Sequence, residues 1–221
     1  MAKKGVVIEF DFAALNGAEL LFKTAKSYLK KLDNIKLDEP TEARHLAGAD
    51  FADGLAKLFA SVKTKKTAPK AARELSALFA EALTASVPSA VTTPFKNFVK
   101  ALAEKDVKVI ISTRADLETV APAFASLVGS NVVLYQDVSS CYGASPWDTW
   151  RRACRFAEVS HISTLVLTGS GFGVKSALRA GMGSVAVVNE HVAYQDFGGA
   201  DAVIDELSGK TAKKVLEVLR V

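Results

Sequence analysis

The sequence predicts an α/β protein: a Rossmann-like parallel sheet flanked by helices, with a helical insertion directly after its first strand. Three observations lead there. Short β-type runs alternate with amphipathic helical stretches from residue 93 to the end, the pattern of a parallel sheet with helices on both faces. Gly5-Val6-Val7-Ile8 opens a near-continuous apolar run, as expected of a strand buried on both faces. Residues 16–88 carry helical periodicity and no strand signal. An insertion there sits at the carboxyl end of strand one, where open α/β sheets bind ligands. The expected organisation is therefore a core of residues 1–15 and 89–221 with a helical cap of residues 16–88.

The elements follow in order. The first strand is expected from Gly5 to about Phe12. In the next helix Leu20, Leu21, Ala25, Tyr28, Leu29 and Leu32 form one apolar stripe. Residues 41–62 read as one further helix, with Phe51, Leu55, Leu58, Phe59 and Val62 on one face. The polar stretch 63–70 ends it. Thr67 is placed to cap the following helix, with Pro69 in its first turn, and Leu75, Leu78, Phe79, Ala82 and Leu83 are its expected buried face. Pro94 opens a helix with Phe95, Phe98, Val99 and Leu102 inward. Strand 107–112, helix 115–128, strand 131–135, loop 137–146, helix 147–158 and strand 163–168 come next. A glycine turn then leads to helix 172–181, strand 184–188, a short strand near 201–204 and an amphipathic helix over 209–220.

Composition narrows the function classes. The chain has 221 residues, 49% hydrophobic and 24% charged, ordinary for a soluble globular protein with a sizeable core. A net charge of +4 is too weak to argue nucleic-acid binding unless it is clustered. Lys63, Lys65, Lys66 and Lys70 do cluster, but no aromatic residue lies among them, so bases have no stacking platform. They read as a solvated loop, the alternative being an anionic partner. Cys141 and Cys154 form no CxxC motif and read as two free thiols rather than zinc ligands, a disulfide being the other option. His45, His161 and His191 are too scattered to pair as ligands. The apolar start is broken by Glu9 and Asp11, which fits neither a signal peptide nor a membrane span. The expectation is a cytoplasmic protein without nucleic-acid or membrane partners. Trp147 and Trp150 read as core packing, with a contact beneath the cap or with a second subunit as the other option. The stretch Ser208-Gly209-Lys210-Thr211 lacks the leading glycine of a phosphate-binding loop, Ile204 standing in its place, which leaves Ser208 as a helix cap.

Three stretches carry a family likeness. They are LVLTGSGFGVKSALRAGM (165–182), TPFKNFVKALAEKDVKVIISTR (93–114) and GGADAVIDEL (198–207). They resemble the haloacid dehalogenase superfamily in its helical-cap form, the phosphoglycolate phosphatase and β-phosphoglucomutase type. The resemblance implies a sheet core with a cap, and in active members a phosphatase-type site. There the first strand ends in Asp-x-Asp, nucleophile then acid/base. A Thr or Ser after the second strand holds a phosphoryl oxygen, a lysine offsets charge, and an acidic pair after the fourth strand binds magnesium. The metal and the lysine are needed because carboxylate and phosphate repel at contact distance.

Against that pattern the chain departs. In one frame Asp11 is the nucleophile and Ala13 stands at the acid/base position; Phe10 before Asp11 favours this frame. In the other, Glu9 and Asp11 fill the two positions. Thr113, with Ser112 as its neighbour, is the expected phosphate-oxygen residue. Gly143 falls at the lysine position, with Arg151 and Arg152 beyond it. Thr168 and Gly169 replace the acidic pair. Magnesium normally needs one or two carboxylates, so no metal site is expected, and magnesium enters only if the chain is an enzyme. The turn at 169–173 reads as a strand-to-helix connection, or as an anion cradle made of helix N-terminal amides. The candidate catalytic residues are Asp11, Glu9 and Thr113, and the candidate anion contacts are Ser112, Thr113, Arg114, Ser170, Gly171 and Arg151. Two functions stay open: a non-catalytic relative binding a small anion or a protein, and a phosphate-monoester hydrolase with an altered site.

Overall fold

A computed structural model describes residues 4–47, 50–138 and 146–221. Six strands form one all-parallel sheet: β1 (Gly5–Glu9), β2 (Lys108–Thr113), β3 (Val132–Gln136), β4 (Thr164–Thr168), β5 (Gly183–Val187) and β6 (Ala202–Ile204). Their spatial order is β3-β2-β1-β4-β5-β6, so the chain builds outward on one side of β1 and then on the other. The order reverses at β1, and crevices open at the carboxyl ends of strands at such a point.

Side chains alternate across the sheet with period two. Val6, Ile8, Val109, Ile111, Leu165 and Leu167 enter one core. Val7, Ile110 and Val166 enter the other. Both faces are covered, which is why the strands read as unbroken apolar runs. The second core is closed by α8 (Trp147–Phe156) and α9 (Gly171–Arg179) through Trp150, Ala153, Cys154 and Ala177. The first is closed by α6 (Thr93–Ala103), α7 (Leu117–Phe124) and α10 (Gly209–Leu219).

Residues 17–90 hold four helices and no strand among the described residues: α2 (Gly17–Asp33), α3 (Glu39–His45), α4 (Phe51–Val62) and α5 (Ala68–Ala90). Leu21, Leu29, Leu55, Leu75 and Phe79 from this block belong to the same apolar cluster as β1 and β2. No single helix among the described residues is long and apolar enough to cross a membrane.

Five sequence expectations are corrected. The first strand stops at Glu9, and Phe10–Ala13 form a helical turn, α1. All four of its residues are buried, and a short buried helix cannot be told from a strand by an apolar run alone. The helix expected over 41–62 is two helices, because Asp50 caps a new start by accepting from the amides of Ala52 and Asp53. Val62 and Leu78 are exposed; the buried stripe of α5 is Ala68, Ala72, Leu75, Phe79, Leu83 and Val87. The helix expected over 115–128 is the shorter α7, with Asp116 as its cap. Ser208 stands at the cap of α10. Trp150 is a core residue, whereas Trp147 is exposed. Cys154 is a buried free thiol; Cys141 and Gly143 lie outside the described residues.

Candidate functional site

Glu9, Asp11, Ser112, Thr113, Thr168, Gly169 and Ser170 gather at the carboxyl ends of β1, β2 and β4. Glu9 is the last residue of β1, level with Ser112 of β2. Its side chain is buried and accepts a hydrogen bond from the Thr168 hydroxyl. Asp11 comes two residues later, on α1, and is 2% exposed. Glu9 is thus the carboxylate at the strand end, and Asp11 stands beyond it on the first turn of α1.

Asp11 is held from both sides. Its Oδ1 accepts from the Thr113 hydroxyl at 2.5 Å. Its Oδ2 accepts from the Arg114 backbone amide at 2.8 Å and faces Arg114 Nε at 3.4 Å. The Arg114 guanidinium lies over the rings of both Phe12 and Phe79, 5.3 Å from each centroid, the two rings being themselves 6.4 Å apart, a placement that favours a weakly hydrated cation. Burial pushes the Asp11 carboxyl above its ordinary range; Arg114 and the hydrogen bonds from Thr113 and the Arg114 amide pull the other way, and Asp137 adds repulsion. Asp137 is buried just after β3, and its carboxylate accepts from Thr149. Sequence reasoning missed it; its place directly after a strand end was the available signal. The Ser112 hydroxyl is buried without a hydrogen-bond partner among the described residues.

The glycine turn is packed from both ends. A Cβ on Gly169 would lie 1.9 Å from the Phe12 carbonyl oxygen, so α1 fills the space a side chain would need. Ser170 caps α9 by accepting from the Gly173 amide at 2.9 Å, and its own amide donates to Thr168 Oγ1. The Gly171 amide donates to Gln195 Oε1 at 2.7 Å, and a Cβ there would meet the Asp196 carbonyl oxygen at 2.4 Å. Asp196 also pairs with Lys175 on α9 at 3.0 Å. The segment after β5 therefore sits over this turn, and Gln195 was not legible as its partner. For Ser170 and Gly171, the groups expected to meet an anion are engaged within the protein.

Arg151 does not join the site. Its Nε and Nη2 donate to the Ala180 carbonyl at 3.0 and 2.9 Å, and it lies over Trp147. It closes the carboxyl end of α9, away from the turn at that helix's start.

The described residues do not fit a magnesium ion. Gly169 offers neither a carboxylate nor room for one, both Asp11 oxygens are engaged, and no group of three His, Cys, Asp or Glu is placed to ligate a metal among the described residues.

No protein-family model and no curated protein matches the chain in sequence. Solved structures do match in fold. β-Phosphoglucomutase from Clostridium difficile aligns over 99% of this chain and 97% of its own, with TM-score 0.73 and 13% identity. A phosphonoacetaldehyde hydrolase-like protein from Oleispira antarctica aligns over 100% and 94%, with TM-score 0.70 and 16% identity. CbbY from Rhodobacter sphaeroides, solved with phosphate, aligns over 96% of each chain, with TM-score 0.67 and 15% identity. The parallel sheet, its strand order and the helices after β1 give this chain the fold of the helical-cap haloacid dehalogenase-like hydrolases.

Proposed function

We propose that this protein has kept the hydrolase fold without the magnesium-dependent phosphatase chemistry, and that it acts by binding, with α2–α5 as a cap over the strand ends. The observation that carries this reading is the state of Asp11. In either frame Asp11 is one of the two acidic positions, and here both of its oxygens already accept hydrogen bonds from Thr113 and Arg114 while the Arg114 guanidinium offsets its charge, which weakens it both as a nucleophile and as a proton-transfer group. Arg114 is the buried cation beside the carboxylate, and its charge is already offset. Between the two binding readings, the geometry supports a protein partner better than a small anion, because Arg114 faces Asp11 and the Gly171 amide faces Gln195.

The test is a magnesium titration by calorimetry together with a phosphate-ester screen and the stability of Asp11→Asn. We expect no magnesium heat, no phosphate release and no stabilisation by inorganic phosphate. Asp11→Asn should lower stability by about 3 kcal/mol, the range for leaving one member of a buried ion pair alone. Replacing a catalytic carboxylate is often neutral or stabilising instead. Magnesium-dependent ester hydrolysis lost in Asp11→Asn or Glu9→Gln would overturn the reading in favour of an altered phosphatase.

A further inference from the structure

A second cleft lies away from the strand-end site, between the start of α2, α3 and the segment after β5. It holds about 100 Å³, room for about three waters. Glu19 on α2, Glu39 and Glu42 on α3, and Glu190, His191 and Tyr194 line it with Ala18 and Phe22. Its carboxylates are graded in depth. The Glu190 side chain is 90% exposed and that of Glu19 33%, whereas Glu42 is 5% exposed. Glu19 pairs with Lys23 and lies 3.6 Å from His191 Nε2; Glu190 lies 3.7 Å from the same nitrogen. Glu42 has no such partner among the described residues: its buried Oε1 accepts no hydrogen bond from them. Burial of a carboxylate without a counter-charge is costly, and Glu39 beside it adds repulsion.

An acidic funnel with an unpartnered carboxylate at its floor is the complement of a cation carrying N–H donors. The described groups do not gather as metal ligands, and the cleft is too small for a nucleotide-sized ligand. We infer that this cleft binds the head of an organic cation, an alkylammonium or alkylguanidinium, with Glu42 as its buried counter-ion and Glu19 and Glu190 at the rim. The charged head forms charge-assisted hydrogen bonds to Glu42, and its alkyl stem lies against Ala18 and Phe22. A free amine and a lysine or arginine side chain share this chemistry.

The experiment is thermal unfolding of the full chain titrated with n-butylammonium, n-butylguanidinium and a short lysine-containing peptide at constant ionic strength. n-Butanol and sodium chloride serve as controls. Saturable stabilisation by at least one cation and none by butanol is expected. Response to the free amines and not the peptide identifies a small-molecule site, and response to the peptide identifies a side-chain site; both support the inference. Glu42→Gln should raise the apparent Kd at least tenfold, and Glu190→Gln, at the exposed rim, by a smaller factor. The inference is overturned by the absence of saturable binding, by equal binding to Glu42→Gln, or by saturation with calcium or magnesium in place of the amines.

Discussion

At the scale of single residues, the described chain buries four carboxylates, Glu9, Asp11, Glu42 and Asp137, and they differ in what surrounds them. Asp11 has a cation, a hydroxyl and an amide, whereas Glu42 has another carboxylate for a neighbour. Burial pushes Glu42 up to about 7 from an ordinary 4.5, with Glu39 adding to the rise. The groups facing it are Glu39 on its own helix, Glu19 on α2, and Glu190, His191 and Tyr194 after β5. Between the two values the folded chain keeps a proton that the unfolded chain has released. Stability from this group is therefore full below about pH 4.5 and falls as pH rises toward 7, by up to about 3 kcal/mol. Glu42→Gln should remove that slope. The difference in urea midpoint between wild type and Glu42→Gln, followed from pH 4.5 to 7.5, should move steadily against the wild type. A difference independent of pH would show that Glu42 ionises as an exposed glutamate does.

At the scale of elements, the turn after β4 explains what was legible in the sequence and what was not. The strand, the glycines and the helix are local patterns, and they fall where periodicity puts them, with Ser170 at the cap. Why Gly169 is glycine is not local. The answer is the Phe12 carbonyl on α1, far away in sequence, which occupies the Cβ position. Asp11 and Thr113 could be picked out as site residues because strand ends converge in this fold. Their bond to each other, and the role of Arg114 as ion pair and ring-stacked cation, depend on side-chain packing that spacing does not encode. Arg151 failed as a site residue for the same reason: a position on α8 is legible, its choice of the Ala180 carbonyl is not. The close contact also makes a prediction. Gly169→Ala must displace backbone rather than a flexible side chain, so it should cost about 3 kcal/mol, the upper range for overpacking. Gly169→Asp, which restores an acid to the turn, should be at least as destabilised and should gain no magnesium affinity. Chemical denaturation and calorimetry measure both, and a stable, magnesium-binding Gly169→Asp would mean that α1 yields readily.

At the scale of the whole molecule, the question is whether the helical block unfolds on its own. Two connections join it to the sheet, near residues 14–16 and 91–92, and by topology alone it could behave as a separate unit. Its packing argues otherwise. Leu21, Leu29, Leu75, Phe79 and Leu83 share one apolar cluster with Ile8, Val109, Phe95 and Phe124. Phe79 of α5 stacks on the same Arg114 that pairs with Asp11, and the Asp116 amide at the start of α7 donates to Thr84 on α5. Pulling the block away would remove one of the two rings beside the buried Arg114 guanidinium and expose much of that cluster together. We therefore expect one cooperative transition. Both tryptophans lie on α8, on the face of the sheet opposite the block, so their fluorescence reports the sheet, while far-ultraviolet circular dichroism is weighted by all the helices. The two urea curves should coincide. A helical signal lost at lower urea than the fluorescence change would mean that the block melts first, and that the shared cluster couples the two parts less tightly than its burial implies.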